Sequence, residues 1–132
     1  MNAKAEALQR RTHDFFLRII RLCDTLPPSQ ASRSISQQLI DSAGATDSNY
    51  RGACRARSTK EFIARIGVAA EEADESEGWL QALLGANIGD RKELQALIIE
   101  ADELVRILTA SAKTARQNAS ASRRPGAHRR TQ

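Results

Sequence analysis

The sequence predicts an all-α protein, an antiparallel up-down four-helix bundle followed by a disordered basic C-terminal tail. Three observations carry that expectation. Hydrophobic residues make up 41% of the 132-residue chain while aromatics make up 4%, a balance that suits helices packed through aliphatic stripes. Proline occurs only at 27, 28 and 125, so no helix-stopping ring interrupts residues 29–124. Apolar residues then recur at three- and four-residue steps in four successive runs. A chain of this length suits one domain, with the bundle over residues 1–117 and the tail over 118–132.

The first run uses Leu8, Thr12, Phe15, Phe16, Ile19, Ile20, Cys23 and Leu26, and Pro27 and Pro28 end it. The second passes through Ile35, Leu39, Ala43, Thr46, Tyr50, Ala53 and Cys54. It is weakly apolar and contains Gly44 and Gly52. Each glycine costs about 1 kcal/mol relative to alanine, so this helix leans on its neighbours. Ser58 and Glu61 in S-T-K-E form a capping-box pattern that starts the third run. That run uses Phe62, Ile66, Ala69, Ala70, Ala73, Leu80, Leu83 and Leu84 and stops near Asn87 and Gly89. Asp90 with Glu93 repeats the starting signal. The fourth run, Leu94, Ile98, Ala101, Val105, Leu108, Ala112 and Ala115, alternates steps of four and three, the spacing of a heptad seam.

Charge is unevenly placed. The formal net charge is +4, and four of the 20 basic residues, Arg123, Arg124, Arg129 and Arg130, fall in the acid-free segment 118–132. The remaining cations equal the 16 acids in number, so the basicity belongs to a low-complexity tail expected to be disordered. No stretch approaches the roughly 20 apolar residues that span a bilayer, and MNAKAEALQRR lacks the apolar core of a secretion signal. The expected compartment is the cytoplasm, without a membrane partner. Cys23 and Cys54 fit no metal-ligand spacing and read as reduced, partly buried small hydrophobes.

The sequence offers little to an enzyme. It has two histidines, His13 and His128, and no HExxH, nucleophile elbow or phosphate-binding glycine loop. Glu71, Asp74 and Glu75 share helical spacing, but a di-iron bundle needs Glu-x-x-His pairs on two helices, which are absent. Hence no catalytic residue, metal, cofactor or small-molecule substrate is expected.

The stretch SNYRGACRARSTKEF, residues 48–62, holds Arg51, Arg55, Arg57 and Lys60 and no acid before Glu61. With a hairpin turning near residue 57, Glu71 falls beside residue 43, so the acids at 71–75 lie too far along the axis to pair with this corner. Arg10, Arg18 and Arg106 are the expected partners of those acids.

Asn49-Tyr50-Arg51, Ala53-Cys54-Arg55-Ala56-Arg57-Ser58, Glu61-Phe62-Ile63, Gly67, the run Glu71-Glu72-Ala73-Asp74-Glu75 and Trp79-Leu80 resemble a large subgroup of the bacterial four helix bundle protein family. Its members are also called intervening-sequence proteins, because some are encoded inside inserts in large-subunit ribosomal RNA genes. The resemblance covers roughly residues 8–112, and Gly52 and Arg55 replace the Glu and Gly of the broader family pattern. It implies a four-helix protomer that assembles into a cyclic homopentamer. A related accessory protein of diversity-generating retroelements is a basic pentamer that binds nucleic acid and a reverse transcriptase.

Three readings of the corner follow. It is a solvated helix end whose cations suit the helix dipole; or a subunit contact through Tyr50, Arg51 and Arg55, with Phe62 and Trp79 as further candidates; or a grip on RNA or DNA phosphates through Arg51, Arg55, Arg57 and Lys60, with Arg123, Arg124, Arg129 and Arg130 from the tail. The function expected is that of a non-enzymatic homo-oligomeric interaction protein, with sequence-nonspecific nucleic-acid binding as the alternative.

Overall fold

Polar side chains and prolines decide where each helix begins and ends. In the computed structural model, which describes residues 2–123, the chain forms α1 (Ala3–Thr25), α2 (Gln30–Cys54), α3 (Thr59–Gly85) and α4 (Arg91–Arg123). Asn2 Oδ1 accepts the Ala5 N–H at 2.8 Å, Ser29 Oγ the Ser32 N–H at 3.1 Å and Ser58 Oγ the Glu61 N–H at 3.0 Å. Each such cap is worth about 1 kcal/mol. α1 stops because Leu26 precedes a proline and turns extended, at ψ 145°.

α3 closes differently. The Ile88 N–H reaches back to the Leu83 carbonyl at 2.9 Å and the Asn87 N–H to that of Leu84 at 3.2 Å, with Asn87 left-handed at φ 58°. This is a Schellman closure, and asparagine is one of the few residues besides glycine that tolerates it. Gly89 follows at φ 102°, where an added Cβ would also lie 2.8 Å from Leu26 Cδ2.

The helices run antiparallel in sequence order. α3 packs closely on both α2 and α4, α1 packs mainly on α2, and the α1–α4 seam is the sparsest. α1 and α3 stand diagonally and do not meet. Two seams are tightened where glycine admits a neighbour: the Phe16 ring lies 3.2 Å from where a Gly44 Cβ would stand, and Arg65 lies over Gly52. The core is aliphatic around Phe15, with Ile19, Leu39, Ile66, Leu80, Leu94 and Leu104 fully buried. Among the described residues there is no strand and no buried side-chain nitrogen or oxygen without a partner. The Ser42 and Ser76 hydroxyls, for example, meet at 2.8 Å between α2 and α3.

Two expectations need correction. On α4 the innermost seam is Leu94, Leu97, Ala101, Leu104, Leu108 and Ala112, whereas Ile98 and Val105 are half-buried on its flank. Adjacent apolar residues at 97–99 and 104–105 allow two stripes in sequence, and packing against α3 and α1 selects one. The boundary at residue 118 is also too early, because α4 continues through Arg123. Residues 118–123, NASASR, contain no helix breaker, and the first one downstream is Pro125. The rest of the proposed tail, with Arg124, Arg129 and Arg130, lies outside the described residues.

Candidate functional site

The α2–α3 corner is built from two bonded turns. Arg55 donates its N–H to the Gly52 carbonyl at 3.2 Å and Ala56 to that of Ala53 at 3.1 Å, which ends α2. Ser58 then starts α3. Only half of the capping box forms: the Glu61 carboxylate accepts the Arg57 N–H at 3.0 Å in place of the Ser58 N–H.

Within this corner the candidate residues separate by environment. Tyr50 is 6% exposed and belongs to the core, so its ring faces its own protomer and not outward as the subunit-contact reading needs. Burial, and secondarily the Cys54 thiol beside it, push its phenol well above the ordinary value. Arg51 is already paired: its Nη2 donates to Asp47 Oδ2 at 3.2 Å, one helical turn back. Arg55, Arg57 and Lys60 are exposed and form no ion pair among the described residues. Phe62 and Trp79 are half-buried against the core, and the Trp79 indole N–H points to Glu75 Oε1 at 3.4 Å. Arg123 ends α4.

Asp47 is the residue that pattern reading missed. It is 2% exposed and receives Arg51 from α2, while from α1 the Thr12 hydroxyl lies 3.2 Å from Oδ1 and His13 Nδ1 3.0 Å from Oδ2. A buried carboxylate with donors on two helices is stably held and ties α1 to α2. The signal available in sequence was its position four residues before Arg51.

The acids of α3 stand differently. Arg18 pairs with Glu93 at 3.1 Å and Arg106 with Asp102 at 2.9 Å, while Arg11 pairs with Glu100 at 2.6 Å and Glu103 at 3.2 Å. Of the expected partners of Glu71 and Asp74, Arg18 and Arg106 are therefore engaged elsewhere. α1 is diagonal to α3, which keeps Arg10 and Arg18 from it, and Asp102 holds Arg106 within its own helix. The α2–α3 register is also about one turn from the equal-level expectation, since Ser42 faces Ser76 and Gly52 faces Arg65. Among the described residues, Glu71, Glu72, Asp74, Glu75 and Glu77 form no ion pair. Burial, then Glu75, Glu71 and Asp41, raise the Glu72 carboxyl above its ordinary value. Burial, then Asp102 and Asp74, raise that of Glu77 against a partial opposing pull from Arg106.

Two open depressions mark the corner end. One, of about 560 Å³, has Tyr50, Cys54, Arg57 and Phe62 on its walls. The other, of about 800 Å³, lies between the start of α3 and the end of α4 and is lined by Thr59, Lys60, Ile63, Arg116, Asn118 and Ser122. Both cysteines are free, and burial raises the Cys23 thiol. Among the described residues no cluster of histidine, cysteine, aspartate and glutamate is arranged to hold a metal, and no helix is long and apolar enough to cross a membrane.

The fold recurs in a crystal structure of a protein of unknown function from the S23 ribosomal protein family of Bacteroides thetaiotaomicron. The two superpose with a TM-score of 0.75 at 27% identity, over 83% of this chain and 98% of that one. No curated protein matches the sequence. The model of the 23S rRNA-intervening sequence protein family matches residues 5–110, and with the four-helix architecture above this establishes that the chain belongs to that family.

Proposed function

We propose that the protein acts as a non-enzymatic scaffold that assembles with copies of itself through the outward surface of α2 and α3. The observation that carries this reading is a pair of unmatched charge fields on one helical hairpin. The outward side of α3 sets exposed Val68 and half-buried Trp79 among Glu71, Asp74 and Glu75, with half-buried Glu72 on its α2 flank and Glu77 on its α4 flank, all without a cation of the same chain in ion-pair contact among the described residues. Arg55, Arg57 and Lys60 sit at the corner, likewise without an ion-pair contact among the described residues. With Gly52 facing Arg65, Arg55 stands near residues 62–63 of α3, so the acids begin ~12 Å further along the axis at 1.5 Å per residue. Within one chain the two fields cannot meet. Between two copies placed head to tail they can, and a head-to-tail contact that repeats by a fixed rotation closes into a ring. The count of five is what the family resemblance implies.

Light scattering on the purified chain tests the reading: the expected mass is several times the 14.5 kDa of one chain. A monomer at tens of micromolar overturns it. Arg55→Glu should weaken assembly by setting like charges together, Glu71→Lys with Asp74→Lys should weaken it equally, and the combination should restore it. A second reading, in which the protein binds a nucleic acid, is favoured by one observation. The acid-free segments 48–60 and 104–123 converge at the same end of the bundle, where Lys60 and Arg116 share a depression.

A further inference from the structure

We infer that the shelf between the start of α3 and the overhanging end of α4 is a docking surface for the phosphate backbone of a nucleic-acid duplex. The inference rests on the second reading above and places it on residues other than the arginine corner. Asn118 lines the same depression as Thr59, so residues 119–123 of α4 run beyond the first turn of α3 and form one wall of an open trough. Its lining includes Lys60 and Arg116, with Thr59, Ser122 and Asn118. These are the donor types that contact phosphate and sugar oxygens. Arg116 Nη2 lies 3.5 Å from where a Gly67 Cβ would be, so α3 leaves room for the guanidinium to lie against its backbone.

The charged residues of the lining, Lys60 and Arg116, have one sign. No acid occurs after Glu103, and the nearest one on α3, Glu61, turns its carboxylate to the Arg57 N–H. Arg51 contributes little, because Asp47 neutralises it. The trough also lacks what a single strand needs. Its lining carries no aromatic ring on which a base could stack, which favours a backbone-reading, sequence-tolerant contact with a duplex.

The experiment measures binding of the full chain to fluorescently labelled 20-base-pair RNA and DNA duplexes and to a 20-base single strand, from low salt upward. Both duplexes are expected to bind more tightly than the single strand, and the RNA and DNA arms say which backbone is preferred. Lys60→Ala with Arg116→Ala is expected to weaken duplex binding roughly tenfold and to reduce the salt slope by about 2, one unit for each lost phosphate contact, with the helical circular-dichroism spectrum unchanged. Arg51→Ala, as the control, is expected to change affinity less than the shelf pair does. Duplex binding that survives the double substitution unchanged overturns the shelf while leaving the reading intact, as does loss of all binding on deleting residues 124–132. No binding of either duplex at low salt overturns the shelf and the reading together.

Discussion

Asp47 shows how much a single residue's role depends on partners that a linear pattern does not connect. On a helical wheel an aspartate four residues before an arginine looks like half of a solvated surface pair, worth only ~0.3–0.5 kcal/mol. Here Asp47 is 2% exposed because α1 covers it and supplies Thr12 and His13 as further donors. Its removal therefore costs more than a surface pair. Asp47→Ala should lower stability by about 1–3 kcal/mol, since it removes one buried carboxylate that serves the half-exposed Arg51 guanidinium, the His13 ring and the Thr12 hydroxyl together. Urea denaturation with tryptophan fluorescence from Trp79 measures it directly. A loss below about 0.5 kcal/mol would mean that solvent replaces the carboxylate at no cost. The burial of Tyr50 is equally illegible in a linear pattern: residue type places tyrosine equally well in cores and interfaces, and only packing decides.

At the scale of elements, the helices and their order were legible because apolar spacing and chain punctuation agree. Pro27-Pro28, Ser58 and Asn87 all lie where helices end or begin. The end of α4 was less legible, since a polar, alanine- and serine-rich segment satisfies the compositional signature of disorder and the propensity for helix equally well. What no pattern contained is the inequality between seams. α1 meets α4 sparsely, and the seam is held by Arg11 with Glu100 and Glu103 and by Arg18 with Glu93 instead of close apolar packing. Ion pairs of partly exposed groups add little stability and are screened by salt. α1 should thus be the least stable member of the bundle. In native-state hydrogen exchange its central amides are expected to open at lower free energy than those of α3, and the gap should widen with added salt. Equal protection in the two helices would show that the whole chain unfolds as one unit.

For the whole molecule, what reaches beyond the fold is the separation of charge along the α2–α3 hairpin. The acids of α3 repel one another, and Glu72 and Glu77 in particular are raised by burial first and by neighbouring carboxylates second. In the protomer, raised carboxyls bind protons more tightly than in the unfolded chain. They thus make the folded state less stable as pH rises through the window between the ordinary carboxylate value and the raised one. If cations of a second copy come to lie against these acids, their pKa values must fall on contact, so assembly releases protons. The sign follows: lowering the pH from neutrality into that window opposes assembly, even though it relieves repulsion inside each protomer. Salt should oppose assembly as well, because the screening length shrinks from about 10 Å at 0.1 M to about 3 Å at 1 M. Sedimentation across pH and salt measures both effects, and Glu72→Gln with Glu77→Gln should flatten the pH response while leaving the salt response largely in place. Assembly that strengthens on acidification would place the acids against other acids or against solvent, and would move the contact off this face of α3.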